Sequence, residues 1–242
     1  QIASEMYAIA CSFGLSAGTN QSWIEVSGLS ENMGKAMEIV EGLIAGAQPN
    51  EEILQNLKGD MIKSRADAKL NQSRCFGALQ RYMIYGSDFI RRTTLTDPAL
   101  QGLTSEQLLA KIGDLMGKQH EVLYYGPQDE AEVKAALAAH HKVAADLQPL
   151  EKKFSTLQPT DENKVMLAQY DAKQLYYMQY SNRGEKFDLA ADPQITLYNE
   201  YFGGGMNSIV FQEMREARGL AYSAWANLAI PTNAKGDYYY MA

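Results

Sequence analysis

Apolar residues recur every second position in some stretches of the chain and every third or fourth in others. Between Ser22 and Gly28, Trp23, Glu25 and Ser27 alternate with Ile24 and Val26, a period that predicts a strand with one buried face. Cys11 to Thr19 reads as its partner, and Gly18-Thr19-Asn20 has the turn chemistry of a hairpin. Residues 1–9 read as the end of a helix. Ser30 is a suitable N-cap for a helix with Met33, Met37, Val40, Leu43 and Ile44 on one face, ended by Gly46 and Pro49. Asn50 caps the next helix, which places Glu51 and Glu52 at its positive N-terminus and runs through Ile53, Leu57, Met61 and Ile62 toward Leu70. A further helix is predicted over about 73–85, and Thr104 with Gln107 makes a capping box for a shorter one.

Glu121 to Tyr125 reads as a short strand closed by Gly126-Pro127, and 128–143 as an alanine-rich helix. Residues 144–162, with Pro149, Pro159 and a charged Glu-Lys-Lys run, read as a linker. Lys164 to Tyr170 and Leu175 to Tyr180 then read as two strands around Asp171-Ala172-Lys173. Pro193 starts a helix that stops at Gly203-Gly204-Gly205. Met206, Val210, Met214 and Ala217 line one apolar stripe, with Ser208, Gln212 and Arg215 on the opposite face. Ala221 to Ile230 and Asp237 to Met241 close the chain as a strand pair.

An internal repeat organises these elements. At an offset of 209 residues Tyr222 falls on Phe13, Gly219 on Ala10 and Arg215 on Met6, and both copies read helix, strand, turn, strand. Residues 1–143 then form the rear part of one repeat, 144–162 a linker, and 163–242 the front part of the next.

Composition narrows the function classes. A net charge of -7 and only isolated basic pairs, Arg91-Arg92 and Lys152-Lys153, argue against a nucleic-acid partner. No apolar run approaches the ~20 residues of a membrane-spanning helix, so no membrane insertion is expected. The chain opens on Gln1-Ile2-Ala3 without an initiator methionine or a basic leader, and is read as a piece of a longer protein. Cys11 and Cys75 are expected to be free thiols rather than a disulfide framework.

The segment that points to a chemistry is Tyr201-Phe202-Gly203-Gly204-Gly205-Met206-Asn207-Ser208-Ile209-Val210-Phe211-Gln212-Glu213-Met214-Arg215-Glu216-Ala217-Arg218-Gly219-Leu220-Ala221-Tyr222-Ser223. Three successive glycines permit left-handed backbone and close approach of another chain. They are not a phosphate cradle, because Gly205 is followed by Met206-Asn207-Ser208 rather than by Lys-Ser/Thr. By its residues alone the segment reads as a flexible helix–helix joint, with Arg215 a solvated helix residue and Tyr222 half-buried.

The segment also resembles the Arg/Tyr substrate-handling stretch of the insulinase/pitrilysin-like (inverzincin) zinc metallopeptidases. The resemblance implies an α+β fold, with an antiparallel or mixed sheet packed against a layer of helices. It implies that the Tyr222 hydroxyl stabilises the oxyanion at the scissile carbonyl, and that Arg215 binds a backbone carbonyl of a peptide substrate. Gly203, Gly204 and Gly205 are carried over as substrate-binding. Such a site is competent only in the intact protein. The family's His-x-x-Glu-His is missing: the histidines are His120, His140 and His141, and the helix expected to carry the third ligand reads Lys58-Gly59-Asp60-Met61-Ile62-Lys63. No metal is therefore expected on this chain, and zinc is expected in the parent protein through ligands outside it. The counterparts Met6 and Phe13 lack the polar atoms of the pair, so the first repeat reads as a structural domain.

Two functions follow from the resemblance. The chain is a non-hydrolytic, peptide-positioning part of a zinc metalloendopeptidase, or a non-catalytic homologue acting as scaffold or inactive partner subunit. Its expected partners are a peptide substrate and other repeats of the same protein or a homologous subunit. Both a bacterial cell-envelope and a cytoplasmic location are compatible with it.

Overall fold

The computed structural model describes residues 2–18, 21–150, 156–231 and 235–242. The predicted turn residues Thr19 and Asn20 and the Lys152-Lys153 pair lie outside them. The protein is α+β, dominated by helices, with small antiparallel sheets. Two compact units are formed, one from residues 1–62 and 96–154 and the other from 63–95 and 155–242.

In the first unit, helix α1 (Ile2–Ala8) leads into the hairpin of β1 (Cys11–Ala17) and β2 (Ser22–Gly28), paired from Cys11↔Gly28 to Ala17↔Ser22. The Gly18 N–H donates to the Gln21 carbonyl at 2.8 Å where the chain reverses. The core beside the hairpin is built on Met6, Ala36 and Val40, with Ile2, Ile9, Phe13, Val26 and Ile39 packed against it. Ile24, assigned by its period to a buried face, is 48% exposed, because the two-stranded hairpin has its core at one end only.

Helix α2 (Met33–Gly46) follows a 3-10 turn at Ser30–Asn32, so Ser30 lies in the turn and Asn32 takes the cap position without a side-chain bond. Asn50 caps α3 (Glu51–Lys69) through the Ile53 N–H at 3.0 Å. Lys58 on α3 is the largest fully buried side chain of the described residues. Its ammonium donates to the carbonyls of Gln101 at 3.0 Å and Leu103 at 2.6 Å, beside Glu51 at 3.7 Å. Those carbonyls lie at and just beyond the end of α5 (Asp97–Gln101), where a helix leaves acceptors unfilled. The Ser105 N–H in turn donates to Glu51 and holds that carboxyl below the usual range. The expected capping box of Thr104 and Gln107 opens α6 (Ser105–Met116), and a second box, Asp129 with Glu132, opens α7 (Glu130–His140).

The expected strand at 121–125 is not formed. Val122, Leu123 and Tyr125 are exposed and no neighbouring strand supplies a ladder. Periodicity alone registers the residues that suit a strand, and pairing requires a partner.

In the second unit, helix α4 (Gln72–Thr93) is kinked at Gly86, where φ is 74°. Gln158 fills the kink, its N–H on the Ile84 carbonyl at 2.7 Å and its amide on the Tyr85 carbonyl at 3.3 Å. The stretches 164–170 and 175–180, expected as strands, contribute only Tyr180 to one. They are tethered through side chains, Tyr170 to the Leu70 carbonyl at 2.5 Å and Gln72 to the Gln174 carbonyl at 2.7 Å, which consumes no ladder of main-chain groups. The sheet of this unit has the order β3-β5-β4, from β3 (Tyr180–Ser181), β4 (Asn227–Ala229) and β5 (Tyr239–Met241), all neighbours antiparallel. Burial pushes the Tyr180 phenol up to about 12, and its hydroxyl donates to the Gln158 carbonyl at 2.7 Å. Beside this sheet, α8 (Asp192–Phe202) carries the chain to the glycines.

Candidate functional site

The three glycines do different things. A Cβ on Gly203 would lie 2.1 Å from the Ala226 carbonyl oxygen, so only glycine admits the backbone that leads into β4. A Cβ on Gly204 would come within 2.9 Å of the Asn199 carbonyl, while one on Gly205 would meet nothing. Asn199 completes the contact: its side-chain amide donates to the Leu228 carbonyl at 2.9 Å and accepts the Leu228 N–H at 2.8 Å. The outward N–H of Ala226 reaches the Gly203 carbonyl at 3.4 Å. The end of α8 and Gly203 thus occupy the outer edge of β4 as a neighbouring strand would.

Beyond the joint, Ser208 is buried and accepts the Phe211 N–H at 3.4 Å, the N-cap that starts α9 (Ile209–Phe211). The helix then widens into a π-helical turn over Gln212–Ala217. Such turns place side chains that a regular helix cannot and recur at functional sites. The expected apolar stripe is not a buried one: Met206 is 72% and Met214 39% exposed. Met206 lies before the N-cap Ser208 and so outside the helix, and the π-helical turn shifts the phase of Met214 from a count of 3.6 residues per turn.

The chain leaves this helix through Gly219, whose φ of 58° lets the Leu220 N–H reach the Met214 carbonyl at 2.8 Å. That reversal brings Tyr222 back over the helix. The guanidinium carbon of Arg215 lies 4.6 Å from the Tyr222 ring centroid and 4.8 Å from that of Phe211. Both separations are within cation–π range. The two predicted residues are therefore in contact, with an arginine face against an exposed tyrosine ring (84% accessible). The Arg215 edge keeps its fork of donors, with the Glu216 carboxylate 3.5 Å from Nε. Arg218 is engaged elsewhere, with Glu213 at 3.3 Å. Phe211 went unnoticed in the sequence. Its signal was its spacing, four residues before Arg215 and so on the same helical face.

Zinc, which the resemblance implies for the parent protein, does not fit the residues present. Among the described residues no three His, Cys, Asp or Glu side chains are grouped to hold a metal ion. His120 and His141 bring their Nε2 atoms to 2.8 Å. Two ligands of a tetrahedral zinc, at bonds of about 2.0–2.1 Å, stand roughly 3.3 Å apart. No helix of the described residues is long and apolar enough to cross a membrane.

The sequence model of the family described as the peptidase M16 inactive domain matches residues 103–240, more than half of the chain. The chain belongs to that family. A peptidase M16 inactive domain from Pseudomonas fluorescens matches with a TM-score of 0.68 at 17% identity, over 99% of this chain and 58% of that one. A protease from Helicobacter pylori matches at a TM-score of 0.62 and 12% identity, over 100% of this chain and 59% of that one. A conserved protein from Enterococcus faecalis matches at 0.59 and 15%, over 99% and 60%. At these identities the likeness is one of fold, and the chain spans about three fifths of the length of those solved chains. No curated relative matches. The peptidase M16 inactive domain thus accounts for the insulinase-like resemblance, and this chain is a non-catalytic peptidase homologue.

Proposed function

We propose that this M16 inactive domain positions peptide for a zinc endopeptidase whose hydrolytic half lies outside the chain. In this reading Tyr222 donates its hydroxyl to the oxyanion that develops at the scissile carbonyl. Arg215 directs its donors at a neighbouring backbone carbonyl, and the open space at Gly205, where a Cβ would meet no neighbour, lets an extended peptide approach. The supporting observation is the pair itself: Arg215 stacked at 4.6 Å on a tyrosine that is 84% exposed. Phe211 and Tyr222 hold the guanidinium over their rings by contacts that use none of its N–H donors, and the side chain is about a third exposed, which suits it to a ligand carbonyl. The other partners of the reading are further repeats of the same protein or a homologous subunit, in keeping with the multi-domain or multi-subunit setting of this family.

A second reading has its own support in the family's description as an inactive domain. There the chain is a scaffold or the inactive partner subunit of a two-subunit peptidase. The Tyr222→Phe variant of the intact peptidase separates the two. Loss of the oxyanion donor is expected to lower kcat by roughly 10²–10³. Unchanged cleavage with intact assembly overturns the positioning role and leaves the scaffold.

A further inference from the structure

All three histidines of the chain gather at one place in the first unit. His140 and His141, at the C-terminal end of α7, engage Glu38 at 3.0 Å and Glu41 at 2.5 Å, one turn apart on α2. His120 comes from the segment after α6. Its Nδ1 lies 2.9 Å from the Lys118 carbonyl and its Nε2 lies 2.8 Å from Nε2 of His141.

A hydrogen count decides what this arrangement is. The Lys118 carbonyl only accepts, so His120 carries a hydrogen on Nδ1. Glu41 and Nδ1 of His141 share one hydrogen between them. Both Nε2 atoms would then present lone pairs to each other at 2.8 Å, unless one more hydrogen lies between them. Two neutral imidazoles beside an ionised carboxylate bring only two hydrogens, whereas the observed contacts need three. The count is the same whichever end of the His141–Glu41 contact holds its proton.

We propose that His120, His141 and Glu41 form a proton-holding latch that ties the segment at 118–120 to the α2–α7 pair. The latch closes only while the facing imidazoles share one proton. Loss of that proton sets two lone pairs against each other, and gain of another sets two N–H groups against each other. Closure therefore has an optimum in pH and weakens on both sides. Other charges on the packed elements are Lys35 and the His140-paired Glu38 on α2, Glu132 and the Lys134–Glu130 pair on α7, Lys118, paired with Asp114 at 3.6 Å, and Asp146, which accepts from the Gln148 side chain at 3.2 Å. Glu121 and Lys142 are the chain neighbours of His120 and His141. Two contacts that do not titrate also hold the segment, Gln119 N–H to the Gln148 carbonyl and Gln148 N–H to the Gly117 carbonyl. The latch thus modulates a strap that already exists, and the strap leads directly into the exposed apolar run Val122-Leu123-Tyr124-Tyr125.

Three histidines give three resolvable ring systems in nitrogen-15 spectra of the full chain. The expected result is a through-hydrogen-bond coupling between two Nε2 atoms, with Nδ1 of His120 protonated. Exchange protection of the Gln119 amide should pass through a maximum as pH is varied and fall several-fold on either side. In His120→Gln the coupling and the peak should vanish while circular dichroism stays unchanged. Independent titration of His120 and His141 without coupling overturns the latch, and that measurement needs no variant. Retention of the peak in His120→Gln overturns it as well, as does a divalent ion found between the two nitrogens.

Discussion

Residues 2–17 and 209–229 leave a helix through the same kind of left-handed turn with opposite side-chain assignments, and then diverge, since 11–17 form a strand and 220–226 do not. In each, a helix ends at a residue with positive φ, 51° at Ala10 and 58° at Gly219, and the chain turns back over it. At the position of Arg215 the first segment has Met6, which is 1% exposed and seeds a core with Ala36 and Val40. At the position of Tyr222 it has Phe13, half-buried against that core. In the second segment the same two positions form a cation–ring pair with the tyrosine in solvent. One kind of helix exit therefore serves a core in one place and a surface pair in the other. What differs is whether a packed helix covers the position, as α2 covers Met6. A likeness in fold carries no activity by itself.

Exchanging residues across this comparison should break it most strongly at Met6. Met6→Arg places a charge in the apolar core of the first unit, against Ala36 and Val40. The expected loss is at least about 4 kcal/mol, read as a collapse of the denaturation midpoint of that unit. Thiol reactivity of Cys11, which is half-buried beside the same core, should rise in parallel. A loss below about 1 kcal/mol would mean that Met6 is not a core residue of the folded protein in solution.

How far these features can be read in advance depends on the distance of the causes along the chain. The Thr104–Gln107 box and the Asn50 cap were readable because both partners lie within one turn. The left-handed stop at Gly219 was readable from the residue type. Burial of Lys58 was not: its acceptors, Gln101 and Leu103, arrive from more than forty residues away, and a lysine in a polar helix gives no sign of them. That Gly203 must be glycine because Ala226 lies against it was not legible either, since that contact is set by the return of the chain toward β4. The stripe from Met206 to Met214 fails for two reasons: the helix starts only after Ser208, and the π-helical turn, which has no residue signature, shifts Met214. Of the candidate site, the spacing of Phe211 and Arg215 places both on one helical face, whereas the contact of Arg215 with Tyr222 depends on the chain reversal at Gly219.

A smaller exchange concerns the two helix stops. Ala10 holds a conformation that disfavours a Cβ by roughly 1–2 kcal/mol, whereas Gly219 holds it without that penalty. Gly219→Ala should therefore destabilise the second unit by about 1 kcal/mol and loosen the Leu220–Met214 bond. A Cβ there meets no neighbour, so the cost is conformational alone. Ala10→Gly should run the other way, although the greater freedom of glycine in the unfolded chain offsets part of the gain and leaves about 0.5 kcal/mol. Opposite signs in denaturant midpoints support one shared route, and equal signs break it.

The smallest expected effect separates the two roles of Arg215. In the second segment the guanidinium touches two rings and a glutamate at the surface, with a third of its side chain exposed. An exposed cation–π contact is worth about 0.5–1 kcal/mol. Methionine preserves much of the stem and its contact with Phe211 and Tyr222, so Arg215→Met should lower stability by less than about 1 kcal/mol, far below the cost of the reverse exchange at Met6. Its effect on peptide binding should be larger, because a lost charge-assisted hydrogen bond costs about 1.5–3 kcal/mol, a tenfold or greater rise in Kd by calorimetry. A variant that loses stability and binding by the same small amount would make Arg215 a packing residue, and the second segment would then differ from the first only in how much water reaches it.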